Sequence, residues 1–401
     1  MILTSAPSAV GQAGRRGPDV RSDAWVRLEV RPEGGVQVEL RSRVERFYGA
    51  AIRAQAAALL EAAGVPHAHL EIEDGGALPW VLAARLEAAV YRAGFTPVSD
   101  VRPPVTRPST PPSPRERRRR SRLYLPGNEP KFMQNAGLHG PDAVILDLED
   151  SVHPGEKDAA RLLVRSALRA VDFGTAERMV RINQLPLGFE DLEAVVPELP
   201  DVILLPKTER PGQVRAAAER IRHILAATEL ADHTVWLMPI LESALGVEHA
   251  YRIAGAHPSV VALTIGLEDY TADMGVVKTR AGHESAWARA RLVNAARAAG
   301  VQAIDSVYGD VDDEAGLRAW AEGARALGFV GMGCVHPRQI RVVHQALAPT
   351  EAELTQARRI VEAFHAAETR GLGVVSLGSK MIDPPVVLRA RRLVDASQAG
   401  G

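Results

Sequence analysis

Residues 143–150, AVILDLED, form an apolar run that ends in three acids, Asp147, Glu149 and Asp150. An apolar run with no polar alternation is typical of a parallel strand that is covered on both faces. Negative charge concentrated at one end of a buried strand indicates that this end opens on a functional site. The stretch therefore predicts a buried parallel strand whose carboxyl end lies at a site.

Seven further apolar runs share this character and alternate with amphipathic helical stretches. They are RLYLP (122–126), RMVRIN (178–183), VILLPK (202–207), VWLMPILES (235–243), VVALTIGLED (260–269), VQAIDSV (301–307) and FVGMGCVHP (329–337). Eight successive βα units predict an α/β fold with a (β/α)8 TIM barrel, whose chemistry lies at the carboxyl ends of the strands. Charged or polar residues gather at those ends: Asp147, Glu149, Arg181, Lys207, Glu242, Asp269 and His336.

Two isolated acids, Glu242 and Asp269, end neighbouring runs. Adjacent strands lie about 5 Å apart, so the two carboxylates are placed to share one hard cation. Magnesium commonly takes one or two protein carboxylates and fills its other positions with water and substrate oxygens. The residues alone leave two interpretations, a magnesium site or a pair of salt-bridged structural acids.

The cations at the strand ends also have two interpretations. Arg181 is placed to hold a substrate carboxylate through two parallel hydrogen bonds, or to neutralise the neighbouring acids. Lys207 has the same alternatives, of which we favour a structural or supporting role. His336 before a proline is either a base or a residue that shapes a loop, and Cys334 is predicted to be a small buried residue.

Composition restricts the kind of protein. The net charge is −1, which gives no general attraction to nucleic acid or to an anionic membrane. There is one cysteine, which fits a cytoplasmic protein without disulfides. No apolar stretch reaches the roughly 18 residues of a membrane helix, and the N-terminus does not have the pattern of a signal peptide.

The chain is predicted to contain three parts: a small α/β domain (1–100), a Pro/Arg-rich linker (101–119) and the barrel with a C-terminal segment (120–401). Strand-like runs at 25–30, 36–40 and 69–74 and helical runs at 44–64 and 79–94 define the first part. Six arginines between residues 115 and 122 suggest either a nucleic-acid patch or the solvated end of the linker, and we favour the linker.

The motifs of the barrel resemble a known family. SRLYLPGNEPKF, AVILDLEDSV, VRIN, LLPKTE, ILESALG, GLEDYTADMG, GFVGMGCVHPRQI and SKMIDPPVV, in this order, resemble the citrate lyase beta subunits of the aldolase/citrate lyase family, to which malyl-CoA lyases are related. The resemblance covers residues 120–396. It implies a TIM barrel, commonly trimeric, that is a carbon–carbon lyase and cleaves a 3-hydroxyacyl thioester by a retro-Claisen reaction.

By the same resemblance, Glu242 and Asp269 bind Mg²⁺, and Arg181 holds the carboxylate of the oxo acid. Asp383 matches an aspartate that the family supplies from a C-terminal segment to a neighbouring subunit, where it serves as the acid/base. Gly378 and Ser379 stand where the family has Asp-Gly. Asp147, Glu149 and Lys207 are expected to support the site through metal-bound water or neighbouring charges.

Residues 1–95 resemble the acyl carrier (gamma) subunits of citrate lyase, through GPDVRSDAWVRL, VELRSRVERFYGAAIR and EDGGALPWVLAARLEAAVYRA. Those subunits carry a CoA-derived prosthetic group on a serine of a Ser-Ser-Asp motif. Here the motif is Arg21-Ser22-Asp23. Either Ser22 takes the group, or the barrel acts on a free CoA thioester.

Three functions are therefore compared. The first is cleavage of a citryl thioester, either citryl-CoA or a carrier-bound form, to oxaloacetate and an acetyl thioester. The second is a malyl-CoA or methylmalyl-CoA type of lyase or synthase that uses free CoA esters. The third is a docking component of a citrate lyase complex. The expected partners are a small acyl thioester, further copies of the chain and a citrate lyase alpha subunit.

Overall fold

Eight parallel strands form a closed barrel in the computed structural model, which describes residues 9–109, 111–369, 375–377 and 380–398. The strands are β5 Ser121–Pro126, β6 Ala143–Asp147, β7 Glu177–Arg181, β8 Val202–Leu205, β9 Trp236–Leu241, β10 Ala262–Ile265, β11 Gln302–Asp305 and β12 Gly331–Cys334. Around the barrel they lie in the order β10-β11-β12-β5-β6-β7-β8-β9. Six strands fall within their predicted runs, and β5 and β7 begin one residue earlier, so the TIM barrel predicted from the sequence is confirmed.

The interior of the barrel is filled by apolar side chains from alternating strand positions. This cluster contains Ala143, Ile145, Met179, Val202, Leu204, Met238, Ile240, Ala262 and Ile304. Helices with one buried face cover the outside, as parallel strands that are apolar on both faces require. Helices α3 to α12 are Pro130–Met133, Lys157–Ala170, Gly188–Val195, Pro211–Ala227, Ala244–Glu248, Ala250–Ala254, Leu267–Asp273, Ala286–Ala298, Glu314–Leu327 and Arg338–Leu347.

The first hundred residues fold around a second, four-stranded sheet. The elements of this domain are β1 Val10–Ala13, β2 Ala24–Val30, β3 Val36–Ser42, α1 Glu45–Ala62, β4 Ala68–Asp74 and α2 Pro79–Arg92. The strand order is β1-β2-β4-β3, in which β3 and β4 pair in parallel and the other pairs are antiparallel. All of these elements were predicted except β1, which is only four residues long. Its Gly11 lies so close to α2 that a Cβ atom would be 1.9 Å from the carbonyl oxygen of Ala89.

Helix α2 also packs against α4 of the barrel, so the N-terminal sheet and the barrel belong to one compact unit, residues 1–343. Arg85 of α2 is buried and pairs with Asp23 through two hydrogen bonds of 2.9 and 3.0 Å. It also donates to the carbonyl of Asn128, just after β5, at 3.2 Å. Arg92 donates to both carboxylate oxygens of Asp158 in α4. The Arg85–Asn128 hydrogen bond and the Arg92–Asp158 ion pair therefore link the N-terminal domain to the barrel.

The arginine run at 115–122 is not the solvated linker end that the sequence suggested. Arg119 is buried and pairs with Glu177, which is equally buried, at 2.7 and 2.8 Å. Arg122 is also buried, because it is the second residue of β5 and its side chain points into the barrel. The prediction was wrong for these two residues because the barrel begins inside the run.

Residues 344–401 form a second compact unit. Its described elements are α13 Glu351–Glu368, β13 Val375–Leu377, β14 Lys380–Ile382 and α14 Pro384–Gln398. Strands β13 and β14 pair antiparallel, and Phe364, Ile382 and Val387 form a small apolar cluster. Gly378 and Ser379, where the chain departs from the family motif, lie outside the described residues. No helix in the described part of the chain is long and apolar enough to cross a membrane.

Candidate functional site

A cavity of about 350 Å³ opens at the carboxyl ends of the barrel strands. Four of the residues predicted for the site line it, namely Asp147, Arg181, Glu242 and Asp269. Asp150, Tyr124, Arg122 and Asp305 line it as well, together with Ile240 and Thr264. The cavity is therefore the place at which the strand-end residues converge.

Asp147 and Arg181 form an ion pair at the mouth of this cavity. They end adjacent strands in register, and the Nε and one Nη of Arg181 donate to the two carboxylate oxygens of Asp147 at 2.6 and 2.7 Å. Burial alone would raise the pKa of Asp147, but the hydrogen bonds and charge of Arg181 outweigh it and hold the pKa below its ordinary value. Asp147 therefore stays ionised and fixes the plane of the guanidinium.

The other Nη of Arg181 forms ion pairs with Glu149 and Asp150 but donates no hydrogen bond to a described group. It lies 3.0 Å from Oε2 of Glu149, but this oxygen accepts no hydrogen bond from it or from any other described group. The guanidinium also lies 5.2 Å from the centre of the Tyr124 ring, close enough for a cation–π contact. Arg181 is thus oriented by protein groups on one edge and offers N–H groups on the other.

Lys207 links the acids of two strands. Its Nζ donates to Glu149 at 2.6 Å, and its backbone N–H donates to Glu242 at 2.5 Å. The second bond needs the left-handed backbone of Lys207, whose φ is +47°, an unusual conformation for a residue with a side chain. Such strain is concentrated at functional sites. Here it directs a backbone N–H group at the Glu242 carboxylate.

Glu242 is a buried carboxylate that has no cationic side chain as a partner within the described residues. Burial and the nearby charge of Glu149 raise its pKa to about 8, and Asp269 adds to the effect. Asp269 follows β10 in the first turn of α9 and is half-buried. It too forms no ion pair with any residue that the structure describes.

Two of the acids at this site therefore have no neutralising cationic side chain among the described residues. Asp147 and Glu149 are neutralised by Arg181 and Lys207, whereas Glu242 and Asp269 are not. Nearby ionised carboxylates repel each other, and a divalent cation with oxygen ligands would relieve that repulsion. Among the described residues, no cluster of three or more His, Cys, Asp or Glu side chains forms a metal site. A metal held here would take two carboxylates, as Mg²⁺ commonly does.

Because Gly266 has no side chain, the Glu242 carboxylate can lie directly against it. A Cβ atom at this position would lie 2.5 Å from Oε2 and 3.0 Å from Cβ of Glu242. In the Gly266→Ala variant we expect the carboxylate to be displaced and enzyme activity to fall about 100-fold, because misplacement by about 1 Å has an effect of that size. Steady-state kinetics measures it. Gly323→Ala is the control, since nothing lies within 4 Å of a Cβ there, and unchanged activity in Gly266→Ala would contradict the expectation.

The remaining predicted residues lie elsewhere. His336 accepts a hydrogen bond from the backbone N–H of Arg338 at 3.1 Å, which fits the loop-shaping alternative. Cys334 is fully buried, as predicted, and burial raises the pKa of its thiol to about 12. Asp383 belongs to the second compact unit, where it accepts a hydrogen bond from Val386 N–H at the start of α14. Ser22 lies in the N-terminal domain with a φ of +60°.

Sequence reasoning missed three residues that line the cavity: Arg122, Tyr124 and Asp305. Asp305 ends β11 in the run VQAIDSV, so the strand-end rule was sufficient to find it. It is fully buried and pairs with Arg289, and burial raises its pKa. Tyr124 and Arg122 lie inside β5, and their inward direction follows only from the register of the strand.

A closed parallel barrel that gathers acids and cations at the carboxyl ends of its strands defines a TIM-barrel enzyme. Comparison with known proteins identifies the family. A family model described as HpcH/HpaI aldolase/citrate lyase matches residues 120–337. A second model, an acyl carrier type described as malonate decarboxylase delta subunit, matches residues 16–93.

The similar proteins agree with these matches. The citrate lyase subunit beta of Leuconostoc mesenteroides subsp. cremoris is 39% identical over 286 residues, 71% of this chain and 95% of that protein. The mitochondrial citramalyl-CoA lyase of Rattus norvegicus is 32% identical over 338 residues, 80% of this chain and 95% of that protein. A crystal structure of CitE from Mycobacterium tuberculosis with magnesium, acetoacetate and coenzyme A is 31% identical, with a TM-score of 0.58, and covers 71% of this chain and 99% of that chain.

The chain belongs to the HpcH/HpaI aldolase/citrate lyase family. It is a carbon–carbon lyase that carries an acyl-carrier-like domain before its barrel.

Proposed function

We propose that the barrel cleaves a citryl thioester to oxaloacetate and an acetyl thioester, in a reaction that requires Mg²⁺. The observation that carries the proposal is the pair Glu242 and Asp269. They are the acids of the cavity that no described cation neutralises. The relatives support it, because two of them are named citrate lyase subunit beta and citramalyl-CoA lyase. The solved relative contains magnesium and coenzyme A.

The chemistry demands a metal site of this kind. In the cleavage a general base takes the hydroxyl proton, and the electron pair of the C–C bond passes to the carbon next to the thioester. The hydroxyl carbon becomes the ketone of oxaloacetate, and the thioester fragment leaves as an enolate. Mg²⁺ bound between Glu242 and Asp269 would lower the pKa of that hydroxyl and hold the adjacent carboxylate.

The protein groups provide positioning and proton transfer. Arg181, held by Asp147 on one edge, directs its free N–H groups at the substrate carboxylate. Glu149 and Lys207 keep the surrounding charge balanced and hold Glu242 through the Lys207 backbone. The enolate then takes a proton to become the acetyl thioester. We assign both transfers to Asp383, supplied by a neighbouring subunit of a trimer: its carboxylate would take the hydroxyl proton and return it to the enolate.

The carrier-like domain raises the question of how the thioester is bound. We propose the division 1–100, 101–119 and 120–401, with the first part as a carrier-like domain. Ser22 is the candidate attachment site. The neighbouring Asp23 is held by Arg85, which also contacts Asn128 in the loop after β5. That loop lies at the same end of the barrel as the cavity, which favours a carrier-bound substrate, whereas coenzyme A in the solved relative favours a free one. A citrate lyase alpha subunit is the partner that would load a carrier.

One assay separates these functions. The purified chain is given citryl-CoA or malyl-CoA, with Mg²⁺ or with EDTA, and oxaloacetate or glyoxylate release is followed. We expect Mg²⁺-dependent cleavage, faster with citryl-CoA. Preference for malyl-CoA would establish the second function, and no cleavage of either ester by an unmodified chain would favour a docking component. Intact mass of the same preparation shows whether Ser22 carries a prosthetic group.

A further inference from the structure

The floor of the cavity contains a buried cation that has no anionic partner in the part of the chain that the structure describes. Arg122 is 1% exposed, and it lines the same cavity as Glu242 and Arg181. One Nη donates to the sulfur of Met238 and the other to the hydroxyl oxygen of Thr264, both at 3.0 Å. Its Nε has no acceptor among the residues described. No carboxylate of a described residue lies within 4.0 Å of this guanidinium.

Arg119 shows what a structural arginine looks like in this barrel. It lies three residues earlier and is equally buried, but it pairs with Glu177 through two hydrogen bonds. A thioether sulfur and a hydroxyl are weak or neutral acceptors, so they compensate little of the cost of taking a guanidinium out of water. An unpaired buried charge is strongly unfavourable. Arg122 therefore occupies a position at which a bound anion would be stabilised.

The position of Arg122 along the barrel axis indicates which anionic group of a substrate it would bind. Its Nη contacts Thr264, which is level with Ile240 and two residues before Gly266. Glu242 is two residues beyond Ile240, so the guanidinium lies about 7 Å below the proposed metal ligand along the strands. An anionic group there belongs to the far end of a substrate whose near end is held by Arg181 and the metal.

We propose that Arg122 binds the second carboxylate of the oxo-acid half of the substrate and thereby selects citryl over malyl and citramalyl thioesters. The citryl group releases oxaloacetate, which has two carboxylates. Glyoxylate and pyruvate have one, so they would leave Arg122 buried and unpaired. The inference rests on the proposed lyase function of the cavity and names its substrate class as a dicarboxylate oxo acid.

The test compares two oxo acids that differ only by the distal carboxylate. Binding of oxaloacetate and of pyruvate, each with Mg²⁺, is measured by calorimetry on the full-length wild type and on the R122M and R122Q variants. We expect a loss of at least about 30-fold for oxaloacetate, since truncating one partner of a buried charge pair has effects of this size. Pyruvate binding should change less than about threefold. An equal loss for both acids, or none for oxaloacetate, would overturn the proposal.

Thermal unfolding of the ligand-free proteins separates a ligand-binding role from a structural one. Replacement of an unpaired buried charge by an apolar side chain of similar volume removes a desolvation cost, so R122M should melt at the same temperature or higher. A lower melting temperature in both variants, or failure of both to fold, would make Arg122 structural and overturn the proposal.

If the proposed lyase function is wrong, the wild type cleaves no hydroxyacyl thioester, and this outcome differs from failure of the Arg122 assignment. If the wild type cleaves citryl-CoA but R122M keeps the wild-type ratio of citryl-CoA to malyl-CoA activity, only the assignment of Arg122 is lost.

Discussion

The Glu242→Gln variant should lose lyase activity and gain stability. We expect the Mg²⁺-dependent cleavage rate to fall about 1000-fold or more, because a catalytic metal supplies several kcal/mol of transition-state stabilisation. The metal-free variant, in EDTA, should be more stable than the wild type by about 1–3 kcal/mol at pH 7. The gain is expected because burial and the charge of Glu149 raise the pKa of Glu242 to about 8.

The sign of the pH dependence follows from this shift. The folded state binds the Glu242 proton more tightly than the unfolded state, whose pKa is near 4.5. The folded wild type is therefore penalised increasingly as the pH rises from about 5 to about 8. The variant lacks this penalty, so its advantage should grow over the same window. Urea unfolding at several pH values measures it.

Magnesium should make the wild type more stable than the Glu242→Gln variant, the reverse of their order in EDTA. A ligand that binds only the folded state stabilises it by about 2.7 kcal/mol at 100 times its dissociation constant. The wild type should therefore gain stability with Mg²⁺, and Glu242→Gln should not. Glu190→Gln is the matched control, because Glu190 is exposed on α5 and its one ion-pair partner among the described residues is Arg161. Retention of activity and of Mg²⁺ stabilisation by Glu242→Gln would remove Glu242 from the metal site.

Asp147→Asn is expected to have the largest effect on folding. The variant removes the carboxylate that accepts both hydrogen bonds of the buried Arg181 guanidinium, and loss of one partner of a buried pair typically costs about 3–5 kcal/mol. The pKa of Asp147 lies below its ordinary value, so its contribution is complete at neutral pH and is lost as the pH falls through the folded-state pKa. The difference between wild type and variant should therefore narrow below about pH 4.

An exposed ion pair of the same geometry provides the control. Arg102 donates to both oxygens of Asp100 at 2.8 and 2.7 Å, as Arg181 does to Asp147, but the Asp100 side chain is 55% exposed. Asp100→Asn should cost less than about 1 kcal/mol, since solvent screens exposed pairs. Equal free energies of unfolding for the two variants would show that burial of the Asp147 pair contributes nothing.

The barrel strands could be predicted because their hydropathy pattern along the chain reflects their burial in the folded protein. Parallel strands that are covered on both faces must be apolar along their whole length, so AVILDLED and its seven counterparts mark the barrel strands unambiguously. The same pattern made the polar strand ends visible, since parallel strands bring those ends to one side. Strand β1 was missed because four residues that depend on Gly11 fitting against α2 leave almost no periodicity.

The chemistry of the site was predicted only in outline. The sequence indicates acids and cations at the mouth of the barrel, and the resemblance assigns them to a citrate lyase type of reaction. Spacing along the chain could not show which acids are neutralised. Asp147 finds Arg181 because their strands are adjacent and in register, and Glu242 is left without a cation because its neighbours contribute a backbone N–H and another acid.

The sequence by itself determined that this chain is an α/β barrel, with its site at the strand ends and a carrier-like domain before it. Only the tertiary structure decided the state of each charge, because that depends on burial and on partners distant in sequence. Arg119 and Arg122 make the distinction clear. Both stand in one arginine run, yet Arg119, before β5, pairs with the buried Glu177 at the start of β7. Arg122 lies in β5, which turns it into the cavity without a carboxylate partner among the described residues.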